Sequence, residues 1–406
     1  MLFELTKRVI PRTFIISPNT CFQGWKILTL QQRSSDKLTI PFHKSTPFQS
    51  AQPLDDNDSG DALFFCVDWF KKNVDARPFF LTKSCTQSLE LALSILELPT
   101  GSEVIIPSYG FVSLANAVVQ NDLKCVFVDC DPKTMNICPD AIENAIGPST
   151  KALITINYAG VSCDYARIIP MCRKHGLFLI EDNAHGLGST FQNRPLGSIG
   201  DVSTFSFDRL KNITCSEGGG VAFNNPELVK KYRLRAEFGT NRSEYEQGVV
   251  SEYEWVGPGT NAQIAGPLVS ILAAQLLQSE QITDRFKRHW NTYYELFSAS
   301  QIINPVQLPF IPEYCSHNGY MFWIMLSDSG QRTALLQFLK QKGIDARFHY
   351  TPLHSSRYGH AVGELRGDVK NTTSGSGKLI RLPLYYSITQ EEIEYVVHQI
   401  IAFLSA

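Results

Sequence analysis

The sequence predicts an α/β fold: a large, mostly parallel sheet with helices on both faces, followed by a smaller α+β region. Three observations carry this. From about residue 62 short apolar strands alternate with helical patterns. Small polar turns feed helix N-termini, as Lys83-Ser-Cys-Thr86 does before an amphipathic run. One stretch, Phe178 to Lys211, reads as two strands whose ends carry an acid and a lysine. At 406 residues the chain is long enough for one large and one smaller domain. The expected division is an N-terminal extension and loop over 1–59, a large domain over 60–290 and a small C-terminal domain over 291–406.

The first 39 residues are basic and acid-poor: Lys7, Arg8, Arg12, Lys26, Arg33 and Lys37 outnumber Glu4 and Asp36. They hold no continuous apolar run, so a transit-like leader, a poorly ordered extension and an over-extended start all remain readings. Residues 44–61 are rich in Pro, Gln, Asp and Gly and read as loop. An amphipathic helix follows over 63–72. A strand over 79–82 leads into a helix over 87–98, and the next strand, 104–107, ends in Ser108-Tyr-Gly-Phe111. Strands over 125–129 and 152–157 come next, the second running into Tyr158-Ala-Gly160. Pro170 should kink the helix over 163–175. The central strands span 177–180 and 202–207, and Glu217-Gly-Gly-Gly220 leads into another over 221–224. A long apolar helix over 264–277 and a further helix over 283–296 complete the large domain. The remainder gives strands over 320–326 and 346–350, a helix over 331–342 and a terminal helix from Glu391. That helix carries a capping box, Thr389 with Glu392, and an apolar stripe of Ile393, Val396, Val397, Ile400 and Leu404.

Composition excludes several classes of function. Lys+Arg 37 against Asp+Glu 39 leaves no basic excess for nucleic acid or an anionic membrane. No apolar run is long enough to span a bilayer. Ten cysteines lie without C-x-x-C pairs or metal-ligand spacing, which argues against zinc and for reduced thiols in a cytoplasmic enzyme.

Asp182 ends the first central strand, the edge where α/β sheets bind ligands, and Lys211 follows the second. An acid and a lysine on adjacent strand ends suit pyridoxal 5'-phosphate. The lysine bonds covalently to the cofactor's aldehyde carbon, and the acid holds the pyridine nitrogen protonated. Ser84-Cys-Thr86 at a helix start can receive a phosphate, although an ordinary Ser N-cap would look the same. Phe111 at a strand end can stack on a flat cofactor, although a lone Phe is more often core.

With Ser84-Cys-Thr86, Pro107-Ser-Tyr-Gly-Phe111, Glu181-Asp-Asn-Ala-His185 and Ser206-Phe-x-x-x-Lys211 read in order, the chain resembles the DegT/DnrJ/StrS sugar aminotransferases from about residue 40 onward. That resemblance implies the aspartate-aminotransferase fold (fold type I). Gly239-Thr-Asn-Arg-Ser243, Tyr253-x-Trp255, Met321-Phe-Trp323, Phe348-His-Tyr-x-Pro-Leu-His354 and Arg381-Leu-Pro-Leu-Tyr385 are similar to the WecE-type branch. These act on dTDP-4-dehydro-6-deoxyglucose, with glutamate as amino donor, in nucleotide-sugar and surface-polysaccharide synthesis. The resemblance gives Lys211 the covalent link and proton transfer, and Asp182 the pyridine nitrogen. It puts His185 near the ring's 3-hydroxyl and Phe111 on the ring face, with Cys85, Thr86 and Ser206 at the phosphate. Asn261 matches a residue that reaches the neighbouring subunit's phosphate, implying a homodimer with shared sites. His349 matches a position facing the nucleotide sugar.

Departures from the family pattern are also legible. Gly110 stands where a Thr is usual, and Asn157 where a His is common. Gln263 and Gly266 replace Arg and Asp, and the segment before residue 62 is short. These leave two other readings: a non-catalytic paralogue that binds the cofactor or a sugar nucleotide, and a sugar dehydratase. Lys211 argues against the dehydratase, which carries His there.

Overall fold

The computed structural model describes residues 39–47, 58–76, 78–300 and 306–405. The basic stretch 1–38 and most of the loop read over 44–61 lie outside the described residues. Along the chain the first strands are β1 (Phe79–Thr82), β2 (Glu103–Pro107), β3 (Lys124–Val128), β4 (Thr150–Ile156) and β5 (Phe178–Asp182). Next come β6 (Thr190–Phe191), β7 (Arg194–Pro195), β8 (Val202–Ser206) and β9 (Gly219–Phe223). The later strands are β10 (Val306–Gln307), β11 (Cys315–Ser316), β12 (Trp323–Leu326), β13 (Arg347–Phe348), β14 (Gly363–Leu365) and β15 (Leu379–Arg381).

Eight of them form one sheet in the order β1-β9-β8-β5-β4-β2-β3-β14. Every pairing from β8 to β14 is parallel, and only β9 runs against its neighbours. This is the expected α/β architecture. Its central strands are apolar on both faces because helices cover both. A four-stranded antiparallel sheet, β10-β12-β15-β13, supplies the smaller α+β region. The division expected at 290 falls inside the continuous helix Ser279–Ala299, and β14, from the C-terminal third, rejoins the large sheet.

The helix expected over 63–72 is longer, α1 (Asp58–Asn73), and the one expected over 87–98 begins earlier, as α2 (Cys85–Ser94). Aromatic packing fixes α1 against the site's strands. Phe70 stacks on Phe79 at 3.8 Å and meets Phe205 of β8 edge-on at 5.1 Å. The capping box at Thr389 is formed in full, and the stripe predicted for the last helix is buried at Ile393, Val396, Val397 and Ile400.

The start of α2 is seated by a glycine. A Cβ on Gly219 would lie 2.3 Å from the Ser84 carbonyl carbon and 2.4 Å from the Cys85 nitrogen. Only a residue without a side chain lets the helix N-terminus rest on β9.

Candidate active site

The C-terminal ends of β5 and β8 lie side by side, with Asp182 opposite Thr204 in register. The chain after β8 is held in a closed turn. The Lys211 N–H donates to the Asp208 carbonyl at 2.9 Å and the Leu210 N–H to the Asp208 carboxylate at 2.9 Å. Backbone bonds from Arg209 N to Ser216 O and from Cys215 N to Phe207 O close the loop behind it. Lys211 is thereby presented at the sheet edge, half-buried. Its ammonium sits 5.3 Å above the Tyr320 ring and 3.5 Å from that hydroxyl.

Asp182 is 4 % exposed. Its Oδ1 accepts the Ala184 N–H at 2.9 Å and has the Cys85 thiol at 3.8 Å. Among the described residues no donor reaches Oδ2. Burial pushes its carboxyl up to about 6, against the pull of the Ala184 N–H, the Lys211 charge and the Cys85 thiol.

Beneath it, Glu181 is fully buried and accepts five donors: the N–H groups of Gly197, Ile199 and Gly200, the Ser203 hydroxyl and the Asn157 amide. Asn157 also accepts from the Cys163 N–H and the Tyr165 hydroxyl through Oδ1. The Asn found where a His is common is thus the hub that ties β4 to β5.

Facing these strand ends is the N-terminus of α2. Ser84 caps it, its Oγ accepting the Gln87 N–H at 3.2 Å, so the ordinary N-cap and the free first-turn N–H groups coexist. The Thr86 hydroxyl pairs with Ser113 at 2.7 Å. The Gln87 amide donates to the Asn261 carbonyl at 3.3 Å, which brings Asn261 to the same helix end. Ser206, the last residue of β8, lies opposite Gly219 in register.

Phe111 precedes α3 (Val112–Val119). It is 53 % exposed, and its ring lies 6.3 Å from that of Tyr350, tilted to it. The structure explains Gly110: a Cβ there would lie 2.6 Å from Leu114 Cδ1. Gly110→Thr is therefore expected to destabilise the chain by about 1–3 kcal/mol through overpacking. Urea unfolding measures this, and Leu114→Ala in the same chain should recover part of the loss.

His185 is buried between Tyr320 (4.8 Å) and Tyr158 (5.9 Å), and its Nδ1 accepts the Ala159 N–H at 3.4 Å. Burial, then the charges of Lys211, His349 and Arg381, hold it neutral. His349 belongs to a closed chain of bonds. Arg381 donates to His349 Nε2 at 3.4 Å, so Nδ1 carries the proton to the Tyr158 oxygen at 3.0 Å. Tyr158 in turn donates to Tyr109 at 3.3 Å, and Tyr109 to the His349 carbonyl. Both ring nitrogens of His349 are engaged by the protein.

In the sequence Arg381 stands out only as the first residue of Arg381-Leu-Pro-Leu-Tyr385. Its guanidinium lies 4.7 Å from the Phe42 ring and 5.9 Å from that of Tyr320, and its buried Nε has no partner. No carboxylate pairs with it among the described residues. Phe42 and His43 fall just before the loop expected over 44–61 and carry no motif. Yet His43 bonds the Arg209 carbonyl at 2.7 Å, and Thr46 the Asn212 carbonyl at 3.0 Å. The segment straps the Lys211 turn to the small sheet. Its signal in the sequence was one aromatic among polar residues, too little to place it.

A protein of Methanocaldococcus jannaschii, called MJ1066 and uncharacterised, is 31 % identical over 82 % of this chain and 87 % of its own length. The crystal structure of an aminotransferase, TlmJ of Streptoalloteichus hindustanus, superposes with a TM-score of 0.78 at 26 % identity, covering 89 % of this chain and 99 % of that one. Helicobacter pylori PseC, an aminotransferase involved in pseudaminic acid biosynthesis, shares the fold with a TM-score of 0.80 at 20 % identity, over 91 % and 100 %. These neighbours carry the fold type I architecture. A family model matches residues 70–401, and with it the chain belongs to the DegT/DnrJ/EryC1/StrS aminotransferase family, whose aminotransferases depend on pyridoxal phosphate.

Proposed function

We propose that this chain transfers an amino group from glutamate to C4 of a nucleotide-linked 4-keto-6-deoxy sugar, with pyridoxal 5'-phosphate as cofactor. One observation carries the reading: a buried carboxylate with an open oxygen and a half-buried lysine share adjacent strand ends, facing a helix N-terminus. These residues fit the cofactor. Asp182 Oδ2 is free for a pyridinium N–H, the first turn of α2 offers N–H groups to a phosphate, and the exposed Phe111 offers a ring face. When bound, the cofactor supplies an electron sink and carries the amino group between donor and acceptor.

The chain's own residues do the rest. Lys211 provides the neutral amine and moves a proton to or from the carbon being aminated. Asp182 holds its charge against burial. Cys85 and Thr86, with Ser206, take the phosphate through backbone and hydroxyl donors, and His185 lies beside the ring's 3-hydroxyl. Arg381, an unpaired guanidinium near the lysine, suits the carboxylate of the amino donor. His349 orients Arg381 and borders the space for the nucleotide sugar. Arg381→Leu should slow the glutamate half-reaction roughly 10²-fold while sparing the sugar half-reaction. Stopped-flow spectra taken from each side separate the two, and equal loss in both would remove the donor role.

The donor reacts first and leaves as 2-oxoglutarate, so the kinetics are ping-pong. A cytoplasmic homodimer with shared sites completes the reading, with Asn261 reaching the neighbour's phosphate. Exposed apolar side chains favour such a partner: Phe64 at 74 %, Leu277 at 70 % and Trp255 at 78 %. Among the described residues no helix is long and apolar enough to cross a membrane. The test is to load the protein with pyridoxal phosphate, add glutamate and watch the visible band disappear. Challenge with dTDP- and UDP-linked 4-keto sugars and NMR of the product follow. A product aminated at C3 would overturn the substrate class, and a band unchanged by glutamate would overturn the transaminase.

A further inference from the structure

Two buried side chains from two other elements converge behind Asp182. Cys85 opens α2, Thr204 is on β8, and Asp182 ends β5 at the register position opposite Thr204. The Cys85 sulfur lies 3.6 Å from Thr204 Oγ1 and 3.8 Å from Asp182 Oδ1. Thr204 is 0 % and Cys85 9 % exposed, so both are left to rely on protein partners more than on water. The thiol lies within donor reach of both oxygens and has one proton; with that S–H on the Asp182 carboxylate, which has none to give, the Thr204 hydroxyl supplies the second bond by donating to sulfur. Burial and the Asp182 charge keep the thiol protonated, pushing its pKa well above the ordinary value. The contact of Gly219 with the Ser84–Cys85 backbone fixes where the side chain starts.

We propose that Cys85 is a positioning residue: with Thr204 behind it, its thiol ties down Asp182 Oδ1, turns Oδ2 to the site and stabilises the carboxylate's charge. The role expected for Cys85 from sequence was at the phosphate, which its backbone N–H can still serve. Its side chain acts on the opposite end of the cofactor site. The Ala184 N–H is the second donor to the same oxygen, so Oδ1 is satisfied and Oδ2 is the atom left to pair with a cation. The other charged or titratable groups facing Asp182 are Lys211 from the turn after β8, Glu181 from β5 itself and Tyr350 after β13. Of these Lys211 alone favours the charged form, which leaves room for a neutral donor to matter. The functional meaning rests on Asp182 serving the cofactor's ring nitrogen; the contact itself does not.

Two measurements test this separately. The first is infrared spectroscopy of the S–H stretch in the cofactor-free chain. The component lost in Cys85→Ser is expected at the frequency of a hydrogen-bonded thiol, and Asp182→Asn should move it towards a weaker bond. A component insensitive to Asp182→Asn would overturn the contact. The second is the pH dependence of pyridoxal phosphate affinity, read by tryptophan fluorescence. Ionisations of the ligand are common to all variants, so differences report the protein. Cys85→Ala is expected to raise the midpoint by about 0.5–1 unit, about three- to tenfold in proton affinity, while Cys85→Ser restores it. An unchanged midpoint in Cys85→Ala with an intact infrared signature would overturn the tuning role. Failure of every variant, wild type included, to bind pyridoxal phosphate would sink the cofactor reading and leave the thiol contact standing.

Discussion

Lys211→Ala is expected to abolish turnover, a loss of roughly 10⁴-fold or more, and with it the visible band of the bound cofactor. The size follows from geometry. The Asp208 turn presents one amine at the end of β8, half-buried and leaning on Tyr320, while the chemistry needs a covalent partner and a proton carrier at one place. Alanine removes both functions. Cofactor affinity should fall far less, because the α2 N-terminus, Asp182 and Phe111 remain. Lys211→Arg is the informative control: it keeps the charge but not a nucleophilic amine, so it should be as dead as the alanine variant. Borohydride reduction of the loaded wild type, followed by peptide mass mapping, should leave the cofactor's mass on the peptide carrying Lys211. Turnover that survives Lys211→Ala, or a mass found elsewhere, would refute the assignment.

Parallel-sheet topology was legible because its cause is local. Strands such as Val104–Pro107 and Leu177–Ile180 are apolar throughout, as burial on both faces requires, and helical patterns separate them. Asp182 stood out because it ends an apolar run, and Lys211 because it sits in the turn that follows the neighbouring strand. What escaped reading depends on contacts distant in sequence. Arg381 is one arginine in a strand of the small sheet, and only the fold brings it to Phe42, His349 and Tyr320. The thiol contact of Cys85 needs α2 seated on Gly219 before it exists. The return of β14 to the large sheet comes from a three-residue strand, too short for any periodicity. Gly110 was noticed as a departure, but its reason, the Leu114 methyl filling the place of a Cβ, is packing between a loop and its own helix.

Asp182→Asn should separate chemistry from stability in opposite directions. The amide keeps the shape and loses the charge that holds a ring nitrogen protonated, so turnover should fall by roughly 10³-fold or more with the cofactor still bound. Stability should move the other way in the cofactor-free chain. The Asp182 carboxyl is raised from its ordinary 3.8 to about 6, so between those values the folded chain binds the proton more tightly than the unfolded chain. Folding free energy therefore declines as pH rises from 3.8 to about 6 and stays at the lower level above it. A shift of that size corresponds to roughly 3 kcal/mol, undiscounted for solvent because the side chain is only 4 % exposed. An asparagine does not titrate. Urea unfolding should show the variant more stable than wild type at pH 7 and nearly level with it at pH 3.5, before cofactor is added. Pyridoxal phosphate should then close the gap by stabilising wild type more, since its bound cation meets the buried charge. A near wild-type rate in Asp182→Asn would end the electron-sink role. The same stability difference at both pH values would show that the carboxyl is not strained by its burial.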